Sequence, residues 1–134
     1  MEDLMEELQR ALENETKLAY ALVFGSRARG SALPKSDLDV AVGLAAGVRL
    51  DPHEVGDLIS TLEQATGQTI DLVLLDEAPP ALAYRAFRDG RVLLERDHGA
   101  LVERKTRAIL DYLDFQPIEA IAVQGVLAAA SNGR

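Results

Sequence analysis

The hydrophobic positions along this chain change their spacing several times, and each change marks a structural element. Leu4, Met5, Leu8, Ala11 and Leu12 recur at helical spacing with acidic residues between them, which predicts an amphipathic helix over residues 2–14. Residues 17–24, KLAYALVF, form a nearly continuous apolar run that stops at Gly25, the pattern of a buried strand. Residues 38–42, LDVAV, predict a second strand, with a turn at residues 43–47 after it. Asp51-Pro52 is a good helix start, and that helix is expected to run to about Ala65 and end near Gly67. Residues 69–75, TIDLVLL, are the clearest strand in the chain. Pro79-Pro80 opens another helix that closes at Asp89-Gly90, and residues 91–95, RVLLE, read as a short last strand.

Beyond residue 97 the pattern is helical only. Leu101, Val102, Ala108, Ile109, Tyr112 and Leu113 keep an apolar stripe through residues 98–115. Pro117 is expected to interrupt it and leave residues 118–130 as a short, nearly uncharged helix, folded on its own core or docked to a partner. That segment falls well short of the roughly 20 apolar residues that span a bilayer. Helices interleaved with about four strands place the chain in the α/β or α+β class.

Length and composition narrow the field. A chain of 134 residues with 48% hydrophobic and 27% charged residues is one globular domain's worth of sequence. Residues 1–97 read as the domain and residues 98–134 as its helical extension. The absence of cysteine removes disulfides, thiolate zinc sites and cysteine nucleophiles, and fits a cytoplasmic location. The first three residues, Met1-Glu2-Asp3, are acidic where a secretory signal is basic and then apolar. A net charge of -8 argues against direct nucleic-acid binding and against an anionic membrane surface. That charge is uneven, however. Residues 25–36 hold three basic residues and no acid, whereas residues 37–77 hold nine acids and one base.

The basic loop and the acids behind it carry the candidate chemistry. Gly25-Ser26 follows a strand and precedes an expected helix, a junction where a backbone without a Cβ and free N–H groups favour a phosphate. Arg27 and Arg29 add positive charge there. Asp37 and Asp39 are two apart at the start of a strand, so their side chains share one face with Cα atoms roughly 6–7 Å apart. Two such carboxylates repel unless a cation lies between them, and one or two carboxylates plus substrate phosphates are how Mg²⁺ is usually held. Asp71 sits inside an apolar strand, where a carboxylate is costly unless paired or metal-bound. If that strand neighbours the Leu38 strand in matching phase, Asp71 joins the pair and serves a second metal or an attacking hydroxyl. Gly25 and Gly30 have P-loop spacing, but Ser31-Ala32 stand where that motif needs Lys then Ser or Thr. His53 and His98 lack ligand spacing and read as surface residues, and no G-x-S-x-G elbow is present.

Gly25-Ser26, followed after ten residues by Asp37-x-Asp39, resembles the signature of the DNA polymerase β-like nucleotidyltransferase superfamily. The local run from Gly25 to Ala32 with Ser36-Asp37-Leu38-Asp39 is similar to its minimal nucleotidyltransferase branch, known for antitoxins paired with HEPN-domain ribonuclease toxins. The resemblance covers about residues 20–95. It implies a mixed sheet of four to five strands with flanking helices, ATP as substrate, and Mg²⁺, in two positions. It further implies that Gly25, Ser26 and Arg27 contact the triphosphate, Asp37 and Asp39 hold metal, and Asp71 is the third catalytic and metal-binding carboxylate. The activity implied is transfer of AMP from ATP to a tyrosine hydroxyl of a cognate HEPN toxin. Larger branches of the superfamily carry an extra domain for acceptor recognition, and a chain this short suits a protein acceptor. Two alternatives use the same residues or surfaces: an antitoxin acting by complex formation alone, and a small-molecule nucleotidyltransferase completed by a separate helical subunit.

Overall fold

A computed structural model describes residues 2–25 and 37–131, with side chains placed for residues 3–25 and 37–114. In chain order the elements are α1 (Glu2–Glu13), β1 (Leu18–Phe24), β2 (Leu38–Leu44), α2 (Pro52–Thr66), β3 (Ile70–Leu74), a 3-10 turn (Leu75–Glu77), α3 (Pro80–Asp89), β4 (Arg91–Glu95) and α4 (His98–Ser131). The four strands form one mixed sheet in the order β3-β2-β1-β4. β1 pairs antiparallel with β2 and β4, while β2 and β3 run parallel.

Helices cover both faces of the sheet, which is why β1 is buried along its whole length. One core joins Leu8 and Leu12 of α1 and Leu58 and Leu62 of α2 to Leu38, Val40 and Val42 of β2 and Ile70 of β3. The other joins Tyr20, Leu22 and Phe24 of β1 and Ala41 of β2 to Ala83, Ala86 and Phe87 of α3 and Leu101 and Ala108 of α4. Alternation along β2 therefore assigns Leu38, Val40 and Val42 to the first face and Asp39, Ala41 and Gly43 to the second. Side-chain contacts hold the second layer together. The Tyr84 and Tyr112 rings stack with centroids 4.1 Å apart, and Arg104 donates to the Leu75 carbonyl from Nε at 3.2 Å and Nη2 at 2.8 Å.

The helix starts are set by local chemistry. Asp51 caps α2 by accepting from the Glu54 N–H at 2.8 Å, and the Glu54 carboxylate accepts from the Asp51 N–H at 3.0 Å. Gly67 ends that helix in the left-handed region at φ 69°.

Two expectations change. The turn predicted from residue 43 begins later, because β2 continues through Gly43 to Leu44. Gly43 pairs with Tyr20, and a Cβ there would lie 2.1 Å from the ring carbon Cζ of Tyr20. The glycine thus makes room for an aromatic ring within a strand. Pro117 does not end a helix either. It lies inside the 34-residue α4, since a proline removes one backbone donor and crowds the preceding turn without having to terminate the helix. No helix among the described residues is long and apolar enough to cross a membrane.

Candidate active site

The site is built where three neighbouring strands align. Phe24, the last residue of β1, is the register partner of Asp39, and Asp39 is in turn the register partner of Asp71 in β3. Paired residues of neighbouring strands project from the same face, so the sheet itself sets the two carboxylates side by side. Asp37 lies just before β2 and is exposed. Among the described residues no three acidic, histidine or cysteine side chains converge as a ready-made metal cage. The structure brings Asp39 and Asp71 together, and Asp37 stands nearby as a contributor of charge.

Burial pushes the Asp39 carboxyl above its usual range. The charge of Asp71 and a side-chain hydrogen bond to Asp71 push it the same way, Asp37 adds to the effect, and Arg85 acts against it. A carboxyl raised in this way gives up its proton less readily, and a cation between the two side chains would offset their repulsion. Hard oxygen ligands held in this way match Mg²⁺, which takes one or two carboxylates and leaves its other positions to water and phosphate.

Gly25 completes the junction. Its φ of 82° lies in the left-handed region that favours glycine. A Cβ at this position would also fall 2.2 Å from Asp39 Oδ2, closer than any real contact. Both constraints keep the space over Asp39 open. Ser26 and Arg27, with the neighbouring Arg29, lie outside the described residues.

A cleft of about 700 Å³ opens over the pair, in the size range of small-molecule sites. Asp39, Asp71 and Glu77 are its acidic lining residues, Phe24, Val55 and Leu82 are among its apolar ones, and Arg85 is its basic one. The sequence reading did not single out Arg85. Its signal was an arginine three residues after Leu82, on the opposite side of α3 from the buried Ala83, Ala86 and Phe87. The two histidines sit elsewhere on the exposed surface, His53 beside Asp57 at 3.3 Å and His98 beside Glu95.

A mixed sheet with helices on both faces, a glycine turn and an adjacent carboxylate pair is the arrangement of a nucleotidyltransferase fold. The family model described as Polymerase beta, Nucleotidyltransferase matches residues 6–99, and the chain belongs to that family. No curated protein matches it in sequence. Among solved structures it is similar to a chain of a toxin–antitoxin complex crystallised with AMP-PNP, with 25% identity over 92% of this chain and 98% of that one and a TM-score of 0.75. A chain from the complex of tri-AMPylated Shewanella oneidensis HEPN toxin with MNT antitoxin shares the fold, with 22% identity over 95% of this chain and 98% of that one and a TM-score of 0.71. A minimal nucleotidyltransferase is 29% identical over 67% of this chain and 92% of its own, with a TM-score of 0.57.

Proposed function

We propose that this chain is the antitoxin of a HEPN toxin pair and acts in the cytoplasm as a protein adenylyltransferase, moving AMP from ATP to a tyrosine hydroxyl of the toxin. The observation that carries the reading is the register-paired Asp39 and Asp71 beside the Cβ-free turn at Gly25. Its likeness to chains of toxin–antitoxin complexes, one crystallised with AMP-PNP and one holding an AMPylated HEPN toxin, supports the choice of nucleotide and acceptor. Residues 1–97 would carry the nucleotide chemistry, with residues 98–134 as the helical extension.

Asp37, Asp39 and Asp71 would hold Mg²⁺, in two positions, and Gly25, Ser26 and Arg27 would contact the triphosphate. Bound Mg²⁺ offsets charge on the phosphates and on the carboxylates. The acceptor oxygen attacks the α-phosphorus, the bond from that phosphorus to the bridging oxygen breaks, and pyrophosphate leaves. The hydroxyl proton passes to the Asp71 carboxylate, which also orients the attacking oxygen. Gly25 leaves the approach to Asp39 unobstructed, and Arg85 lies where it can offset negative charge entering the cleft. Positioning and electrostatics do the work, with no covalent intermediate on the protein.

The test is direct. The chain is incubated with ATP, Mg²⁺ and the HEPN-type protein encoded beside it, and that protein is then weighed and mapped by mass spectrometry. An AMP adduct on tyrosine that disappears with Asp39→Ala supports the reading; no adduct with the unaltered chain refutes it.

A second reading, neutralisation by complex formation alone, is favoured by an apolar stripe on α4. Val102, Ile109, Leu110 and Leu113 are 46%, 36%, 55% and 51% exposed, more than an isolated helix face needs. If an Asp37→Ala, Asp39→Ala double variant still protects cells from the toxin, occlusion is sufficient and adenylylation is secondary.

A further inference from the structure

The cleft over the carboxylate pair does not end at the pair. It continues along four consecutive residues of β3, Asp71 to Leu74, so one of its walls is the strand's main-chain edge. β3 is the terminal strand of the sheet, and its far side has no strand beside it among the described residues.

The direction of each main-chain group on that edge follows from the register. The Leu38 N–H donates to the Thr69 carbonyl at 2.9 Å, and Leu38 is the register partner of Ile70. Main-chain groups of a strand alternate in direction from residue to residue. Thr69, Asp71 and Val73 therefore turn their N–H and C=O toward β2, whereas Ile70, Leu72 and Leu74 turn theirs outward. The outward N–H of Ile70 is already used, donating to Glu63 Oε2 at 3.0 Å. Leu72 is the next outward residue, and its N–H and C=O have no described partner on that side. A capped position at one end and an open donor–acceptor pair beside the catalytic carboxylates is a docking register.

We propose that an extended segment of the acceptor protein pairs with Leu72 as a further strand beside β3, and that its tyrosine reaches the Asp39–Asp71 pair from this strand. The inference rests on the adenylyltransferase reading and specifies how the acceptor is presented. Neighbouring strands lie about 4.8 Å apart and paired residues share a face. A tyrosine paired with Asp71, or one pair along at Val73, projects over the same face as the two carboxylates. Strand addition draws its affinity from main-chain hydrogen bonds and its specificity from alternate side chains. The apolar lining residues Val55 and Leu82 suit the residues flanking such a tyrosine.

Amide hydrogen exchange of the full chain, free and saturated with its neighbour-encoded HEPN-type protein in the absence of nucleotide, tests the proposal. In the free chain the Leu72 amide exchanges fast while the inward Asp71 and Val73 amides are protected; in the complex Leu72 slows by at least about tenfold. Unchanged exchange at Leu72 in a formed complex overturns the proposal, as does failure to form any complex. So does protection that grows with the concentration of the free chain, which would put a second copy on the edge. A variant pair isolates the donor: Leu72→Ala and Leu72→Pro both lose the side chain, but only the second loses the N–H, and an edge strand accepts proline where its N–H faces outward. Transfer at least about tenfold slower in L72P than in L72A, with equal AMP-PNP affinity, is expected. Equal transfer overturns the proposal; should L72P not fold, the exchange measurement decides. If the complex forms and Leu72 is protected but no AMP is transferred, the adenylyltransferase reading fails and the docked edge stands.

Discussion

Adding a single methyl group at Gly25 tests the geometry of the site and its energetics together. In Gly25→Ala the new Cβ would lie 2.2 Å from Asp39 Oδ2 and 3.2 Å from Asp39 Cγ, but an ordinary 3.6 Å from Asp39 Cβ. The collision is therefore with the carboxylate alone. Holding alanine at φ 82° costs roughly 1–2 kcal/mol, the penalty of left-handed backbone for a side chain with Cβ. Turning the carboxylate out of its preferred rotamer adds about 1 kcal/mol. The expected loss is about 2–3 kcal/mol with aspartate at position 39, and about 1–2 kcal/mol in an Asp39→Ala background, where only backbone strain remains. Urea unfolding of the four chains without metal reads both values, provided the slope with urea is constant. Displacing Asp39 from Asp71 by about 1 Å should slow AMP transfer roughly a hundredfold while the protein stays folded. Equal stability losses in the two backgrounds would refute the close approach of Gly25 to Asp39. A fully active Gly25→Ala would refute the role of that approach in catalysis.

Other expectations follow from single contacts. Because the Asp39 carboxyl is held above its unfolded range, its contribution to stability is complete below the unfolded value and is lost as pH rises through the folded one. Without metal, Asp39→Asn should therefore melt higher than the unaltered chain at neutral pH, with the gap closing in acid; added Mg²⁺ should raise the melting temperature of the unaltered chain alone. Burial, with the Asp76 charge adding to it and Arg104 opposing, pushes the Tyr20 hydroxyl up to about 12. Its contribution is complete below the unfolded value near 10 and is lost as pH rises toward about 12, so Tyr20→Phe should flatten the alkaline fall in stability measured by urea unfolding. Gly43→Ala drives a Cβ to 2.1 Å from a buried aromatic ring and should cost about 1–3 kcal/mol, largely recovered when Tyr20→Leu removes the ring. Arg96 donates to the carbonyls of Glu13, Glu15 and Leu18, from the end of α1 to the start of β1, and Arg96→Ala should lower stability by about 1–3 kcal/mol in the same assay.

The elements that sequence made legible are those whose signals are local. The Asp51-Pro52 start and the Gly67 stop of α2 are written in residues that touch each other, and the apolar run of β1 follows from burial on both faces. Asp71 was suspicious because a carboxylate in an apolar strand needs a partner, but which partner depended on strand order. The parallel register that sets Asp71 against Asp39 joins residues more than thirty apart, and no local pattern encodes it. Gly43 misled for the same reason. A glycine after an apolar run is a turn signal until the Tyr20 ring across the sheet explains it. Arg85 carries no motif and gains meaning only when α3 packs against β1 and turns its rim toward the acids. At Pro117 a local rule was applied too strongly, since proline weakens a helix more reliably than it ends one.

Like charges paired across neighbouring strands destabilise a sheet, and a partly buried carboxylate adds a desolvation cost. This fold accepts both at Asp39 and Asp71 because the rest of β2 is anchored independently. Val40 and Val42 are buried against α1 and α2, Ala41 is buried under α3 and α4, and β1 pairs along almost the full length of the strand. The strain is thus confined to the strand ends, where the proposed cation and nucleotide would relieve it. Such binding would stabilise the folded chain by an amount that grows with ligand concentration. The site also lies next to a sheet edge that no other strand among the described residues covers. Asp71 occupies a terminal strand, so an acceptor docked there as proposed would reach it without displacing any part of the fold that holds Asp39 in place.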